Sequence, residues 1–78
     1  MSEVRDRIVK VVSQILKIEP ARITDESRFV EDLGAESIQS VELIAAFEEE
    51  FDIEMDEDKA REVQTVEGAA EFIAQYVS

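Results

Sequence analysis

The stretch Asp32-Leu33-Gly34-Ala35-Glu36-Ser37-Ile38-Gln39-Ser40-Val41-Glu42-Leu43 decides how this chain is read. Gly34 permits a tight or left-handed turn, and Ser37, a good N-cap residue type, stands where helical periodicity begins. A helix opening at Ser37 would leave the hydroxyl exposed at an end where unpaired amides and the helix dipole favour phosphate. On position alone, Ser37 reads either as a plain cap or as the attachment point of a phosphodiester-linked arm.

Downstream, the pattern predicts a helix from Ser37 to Phe51. Wound at about 100° per residue, it gathers Leu43, Ile44, Phe47 and Phe51 toward a core, with Ser40 semi-buried on the same side. Glu42 and Glu49 fall opposite, with Ile38 and Ala45 among and beside them. A charged face is ordinarily just solvated. After an exposed serine it also reads as a recognition surface, where acids steer a partner and Ile38 and Ala45 enter a shallow pocket.

Upstream, Val4, Ile8, Val11, Val12 and Ile15 mark a helix from Glu3 to Lys17, with Ile18-Glu19-Pro20 expected to close it. Residues 18–36 form a long connection with a turn-like Thr24-Asp25-Glu26-Ser27, which Ile23, Phe29, Val30 and Leu33 are expected to pin to the core. Beyond Phe51, a short helix is predicted from Glu57 to Val63. A last one runs from Val66 to about Val77, capped by Thr65 with Glu67 in its first turn. No convincing strand appears. The expectation is a single domain over residues 1–78, all-α, with three longer helices and a short third one.

Composition narrows the chemistry. With no cysteine and no histidine, the chain holds no disulfide, thiolate centre, His-ligated zinc or Ser-His-Asp triad. Charge is uneven: residues 1–30 balance to +1, whereas residues 31–78 carry fifteen acids and two bases, a balance of −13. That field repels nucleic acid and anionic membranes and attracts basic protein surfaces, or it serves solubility alone. No apolar run approaches a membrane span or signal segment, so a cytoplasmic protein is expected; a monomer is expected as well. Carboxylates abound, but nothing suggests a pocket that tunes one as an acid, so an enzyme is not expected.

The chain resembles the acyl carrier proteins of fatty-acid and polyketide synthesis. Asp32-Leu33-Gly34-Ala35-Glu36-Ser37-Ile38 is similar to the family's D-L-G-x-D-S-L signature, and Val41-Glu42-Leu43, Phe47-Glu48-Glu49-Glu50-Phe51 and Thr65-Val66 continue the likeness. The resemblance implies a four-helix bundle of the acyl-carrier type with a long loop between helices one and two. It implies phosphopantetheine joined to Ser37 by a magnesium-dependent phosphopantetheinyl transferase, with acyl groups held as thioesters on the arm. Its partners would be acyl-transferring, ligating or condensing enzymes with basic surfaces. They would dock on Glu36, Ile38, Gln39, Glu42, Ala45, Glu48 and Glu49. Phe29, Val30, Phe47, Val63 and Ala69 match the family's acyl-cavity positions.

Departures from the pattern point to a specialised carrier. Glu36 replaces the usual Asp, Gln39 stands where many members have an acid, Ile38 replaces Leu, and Ala45 is smaller than usual. Phe47 is bulkier than the usual Leu and would narrow the cavity. A peptidyl or aminoacyl carrier shares this architecture and stays open, as does an unmodified acidic adaptor. Asp52, Asp56 and Asp58, with Glu54 and Glu57, could also hold a divalent cation weakly, although Glu57 and Val63 occupy positions where an EF-hand needs Gly and Glu.

Overall fold

A computed structural model describes residues 3–77. Among the described residues four α-helices follow in order: α1 (Glu3–Leu16), α2 (Ser37–Phe51), α3 (Glu57–Glu62) and α4 (Val66–Val77). Among the described residues there is no strand, only an isolated antiparallel bridge between Arg28 and Thr65. The layout is the expected helical bundle, three longer helices and one short.

The core follows from the apolar stripes. Ile8 and Val12 of α1 meet Leu43, Phe47 and Phe51 of α2 and Val66, Ala69 and Ile73 of α4, all buried in one cluster. α1 packs on both α2 and α4, while α3 leans mainly on α2. Arg7 reinforces the α1–α2 contact: its guanidinium lies 4.5 Å from the Phe51 ring centre, and its Nε donates to Glu50 Oε2 at 2.8 Å.

Helix ends show where local rules governed and where they were overridden. α1 stops at Leu16, not at the proline: Lys17 takes a left-handed φ of 57°, and the Ile18 amide reaches back to the Ser13 carbonyl at 3.2 Å. Pro20 instead opens a one-turn 3-10 helix (Pro20–Arg22), with Glu19 before it extended as a pre-proline residue must be. α2 ends by the same left-handed device at Asp52, φ 54°. α3 closes one residue earlier than expected, at Glu62. α4 has the expected bounds, with Thr65 Oγ1 accepting from the Gly68 amide at 3.0 Å.

The long connection is held by backbone bonds to the start of α4. The Phe29 amide donates to the Gln64 carbonyl at 2.9 Å, the Val66 amide to Ser27 at 3.1 Å, and the Glu67 amide to Asp25 at 2.9 Å. These bonds satisfy backbone groups that would otherwise be stranded beside the core. Ile23 and Phe29 are buried and Leu33 is half-buried, as the sequence suggested. Val30 is not a core anchor: it is 60% exposed, because the turn after Phe29 carries it outward.

Candidate functional site

A tight turn delivers the chain to α2. The Arg28 carbonyl accepts from the amides of Asp32 and Leu33, both at 3.0 Å, and the Phe29 carbonyl accepts from Ala35 at 2.8 Å. Gly34 adopts φ 74°, and a Cβ there would meet nothing within 4 Å, so its requirement is purely conformational. Gly34→Ala is expected to cost about 1–2 kcal/mol, read as a lowered denaturation midpoint. Ala35 is buried and anchors the turn.

Asp32 locks this turn to Arg28. Its Oδ2 accepts from the Arg28 amide at 2.9 Å and from Arg28 Nε at 3.1 Å. The guanidinium contact chiefly, with the backbone amide, holds the Asp32 carboxyl below its ordinary value. Arg7 does the same to Glu50. A depressed carboxyl contributes stability that is complete above its unfolded pKa and is lost as pH falls through the folded one. The two contributions therefore disappear below 3.8 for Asp32 and below 4.5 for Glu50. In an acid titration of stability, Asp32→Asn should flatten the part of the decline that lies below 3.8.

Ser37 is the first residue inside α2, not its cap. Glu36 is the cap, extended at φ −85° and ψ 168°, and the Gln39 side chain reaches back to accept from the Glu36 amide at 2.9 Å. The Ser37 hydroxyl is thereby released: it is exposed and makes no hydrogen bond among the described residues.

One side of α2 leads from Ser37 to a cavity. Ser40, Ile44 and Phe47 follow Ser37 at helical spacing, and all three line a pocket of about 360 Å³ between α2, α3, α4 and the long loop. Phe29, Val30, Val63 and Ala69 line it too, so all five sequence-selected lining residues meet around one space. The Phe29 and Phe47 rings lie 6.5 Å apart at 50°. Its size falls within the range of about 300–1,000 Å³ usual for small-molecule sites. Periodicity alone did not flag Met55 or Phe72 as lining residues, and charge gave no reason to place Arg28 and Arg61 there.

The other face of α2 presents Glu36, Ile38, Glu42, Ala45 and Glu49 to solvent. Two of the residues selected for docking are already engaged within the chain. Gln39 is half-buried in the cap, and Glu48 Oε2 accepts from the Met55 amide at 2.8 Å, tying α2 to the segment before α3. Val41, 50% exposed beside Ile38, adds an apolar side chain to this face that the docking selection did not include. Its spacing of three from Ile38 was the available signal.

The aspartates after α2 are not gathered into a cation site. Among the described residues no group of three or more acidic side chains is placed to hold a metal ion. Asp52 ends α2, while Asp56 caps α3 by accepting from the Lys59 amide at 3.2 Å.

Residues 6–73 match the family model described as "Phosphopantetheine attachment site". The chain is 45% identical over 75 residues to an acyl carrier protein of Caulobacter vibrioides (strain NA1000 / CB15N), covering 96% of each. It is 48% identical over 73 residues to that of Phenylobacterium zucineum (strain HLK1), covering 94% of this chain and 92% of the relative. The fold and the match over nearly its whole length define a phosphopantetheine-bearing carrier, not an enzyme. The chain belongs to the acyl carrier protein family. No helix among the described residues is long and apolar enough to cross a membrane.

Proposed function

We propose that Ser37 Oγ carries the phosphopantetheine and that the domain delivers acyl groups to partner enzymes of fatty-acid, lipid or polyketide synthesis. The observation that carries this reading is the exposed, unengaged Ser37 hydroxyl one helical turn from the cavity-lining Ser40. The residues present fit the group: a phosphate on Ser37 would sit at the N-terminus of α2, where the first amides lack helical acceptors. When bound, the arm supplies a terminal thiol for thioester chemistry, which the chain itself cannot provide because it has no cysteine. The cavity shelters the acyl chain.

A phosphopantetheinyl transferase installs the arm. Acyl-transferring, ligating or condensing enzymes approach the acidic face of α2, with Ile38, Val41 and Ala45 as apolar contacts among Glu42 and Glu49. The protein works as a monomer in a specialised pathway, consistent with Glu36 and Gln39 in its attachment motif. Intact mass is the test. Incubation with coenzyme A, magnesium and a broad-specificity transferase should add one phosphopantetheine. No gain with that enzyme or the host's own would overturn the reading.

Phe47 limits the depth of the cavity under this proposal. A short acyl chain on the holo protein should raise the melting temperature more than a sixteen-carbon chain does. Equal protection by the two chains would contradict the limit.

A further inference from the structure

The cavity that would receive the cargo is apolar inside but not at its edge. Leu43, Phe47, Met55, Ala69 and Ile73 form its interior, whereas Arg61, Arg28, Glu31 and Gln64 also line it. Arg28 is neutralised where it stands, paired with Glu31 and Asp32. Arg61 has no ion pair or hydrogen bond among the described residues, although Glu57 and Asp58 precede it by one turn on α3. It is also one of just two bases in residues 31–78, set against fifteen acids, and both of them, Lys59 and Arg61, lie on α3. Only Arg61 of the two borders the cavity.

We infer that Arg61 selects cargo: the carried acyl group bears a free terminal carboxylate, which meets the Arg61 guanidinium at the cavity edge. The inference rests on the carrier reading above. A carboxylate on a protein of net charge −12 is repelled from nearly every surface, so an anionic cargo needs a local cation to be held. A guanidinium matches a carboxylate with two parallel hydrogen bonds, and Gln64 offers an amide donor at the same edge. Size is compatible as well. At about 30 Å³ per water-sized group, a cavity of about 360 Å³ admits a six-carbon chain.

The test compares hexanoyl and adipoyl groups, equal in carbon number but differing in a terminal carboxylate. Each enters as its acyl-phosphopantetheine, moved from the acyl-coenzyme A to the Ser37 hydroxyl by the broad-specificity transferase with release of adenosine 3′,5′-bisphosphate, and loading is verified by intact mass. The melting-temperature difference between the two loaded forms is then measured for the wild type, Arg61→Gln and Lys59→Gln. Lys59→Gln removes the same charge from α3 away from the cavity. The adipoyl form should lose about 1–5 °C relative to the hexanoyl form in Arg61→Gln only. That loss should shrink as salt is raised. An unchanged difference in Arg61→Gln, or an equal change in Lys59→Gln, overturns the inference. Absence of any loaded mass would instead sink the carrier reading, and the inference with it.

Discussion

Ser37→Ala is expected to abolish the gain of phosphopantetheine while leaving the domain folded. The loss should be complete because the proposed attachment oxygen is Ser37 Oγ, which alanine lacks. Stability stays within about 0.5 kcal/mol of wild type, the range of surface substitutions that touch no special feature. This follows from the cap geometry: Glu36 and Gln39 close the N-terminus of α2, and the Ser37 hydroxyl bonds to nothing among the described residues. Had Ser37 been the cap, the same change would cost about 0.5–2 kcal/mol. Thermal melts beside mass spectra therefore separate an attachment serine from a structural one.

Ile73→Ala produces the largest loss of stability, about 2–5 kcal/mol. Ile73 is 1% exposed, sits in the cluster where α1, α2 and α4 meet, and also lines the cavity. Removing its branched end forfeits the transfer energy of the lost carbons and enlarges a void that the helices only partly close. At roughly 0.05–0.15 kcal/mol per residue, a chain of 78 residues has about 4–12 kcal/mol in total. The substitution therefore removes a large fraction of the whole. Denaturant titration should show the midpoint falling accordingly, and an effect below about 1 kcal/mol would mean that the packing described here is wrong.

The parts of the fold legible in the sequence were those governed by periodicity and local chemistry. α2 and α4 have the bounds their apolar spacing predicts, and Thr65 caps α4 through the Gly68 amide. Gly34 is left-handed, as its place before the serine suggested. Reading failed where a residue's partner lies out of register with any local rule. Gln39 displaced Ser37 from the cap by reaching back to Glu36, a contact that its reading as a docking residue had hidden. Glu48 looked like part of an acidic field, yet it holds the Met55 amide seven residues on. Val30 shares its neighbour's hydrophobicity but not its direction, because the turn bonded to Arg28 and Phe29 rotates it outward.

The cavity was partly visible for the same reason. Phe29, Val30, Phe47, Val63 and Ala69 were selected from a resemblance, and they meet around one space because α2, α4 and the loop bring them together. Arg61 could not be found that way, since an arginine on a short charged helix reads as solvated.

The central claim is that Ser37 is where the arm attaches, and fragmentation mass spectrometry of the loaded protein tests it most directly. Ser40, one turn along α2 and half-buried at the cavity, is the neighbouring hydroxyl that a mass gain alone does not exclude. Fragment ions should carry the whole added mass on Ser37 and none on Ser40. Added mass on Ser40, or on any other residue while Ser37 stays unmodified, would contradict it.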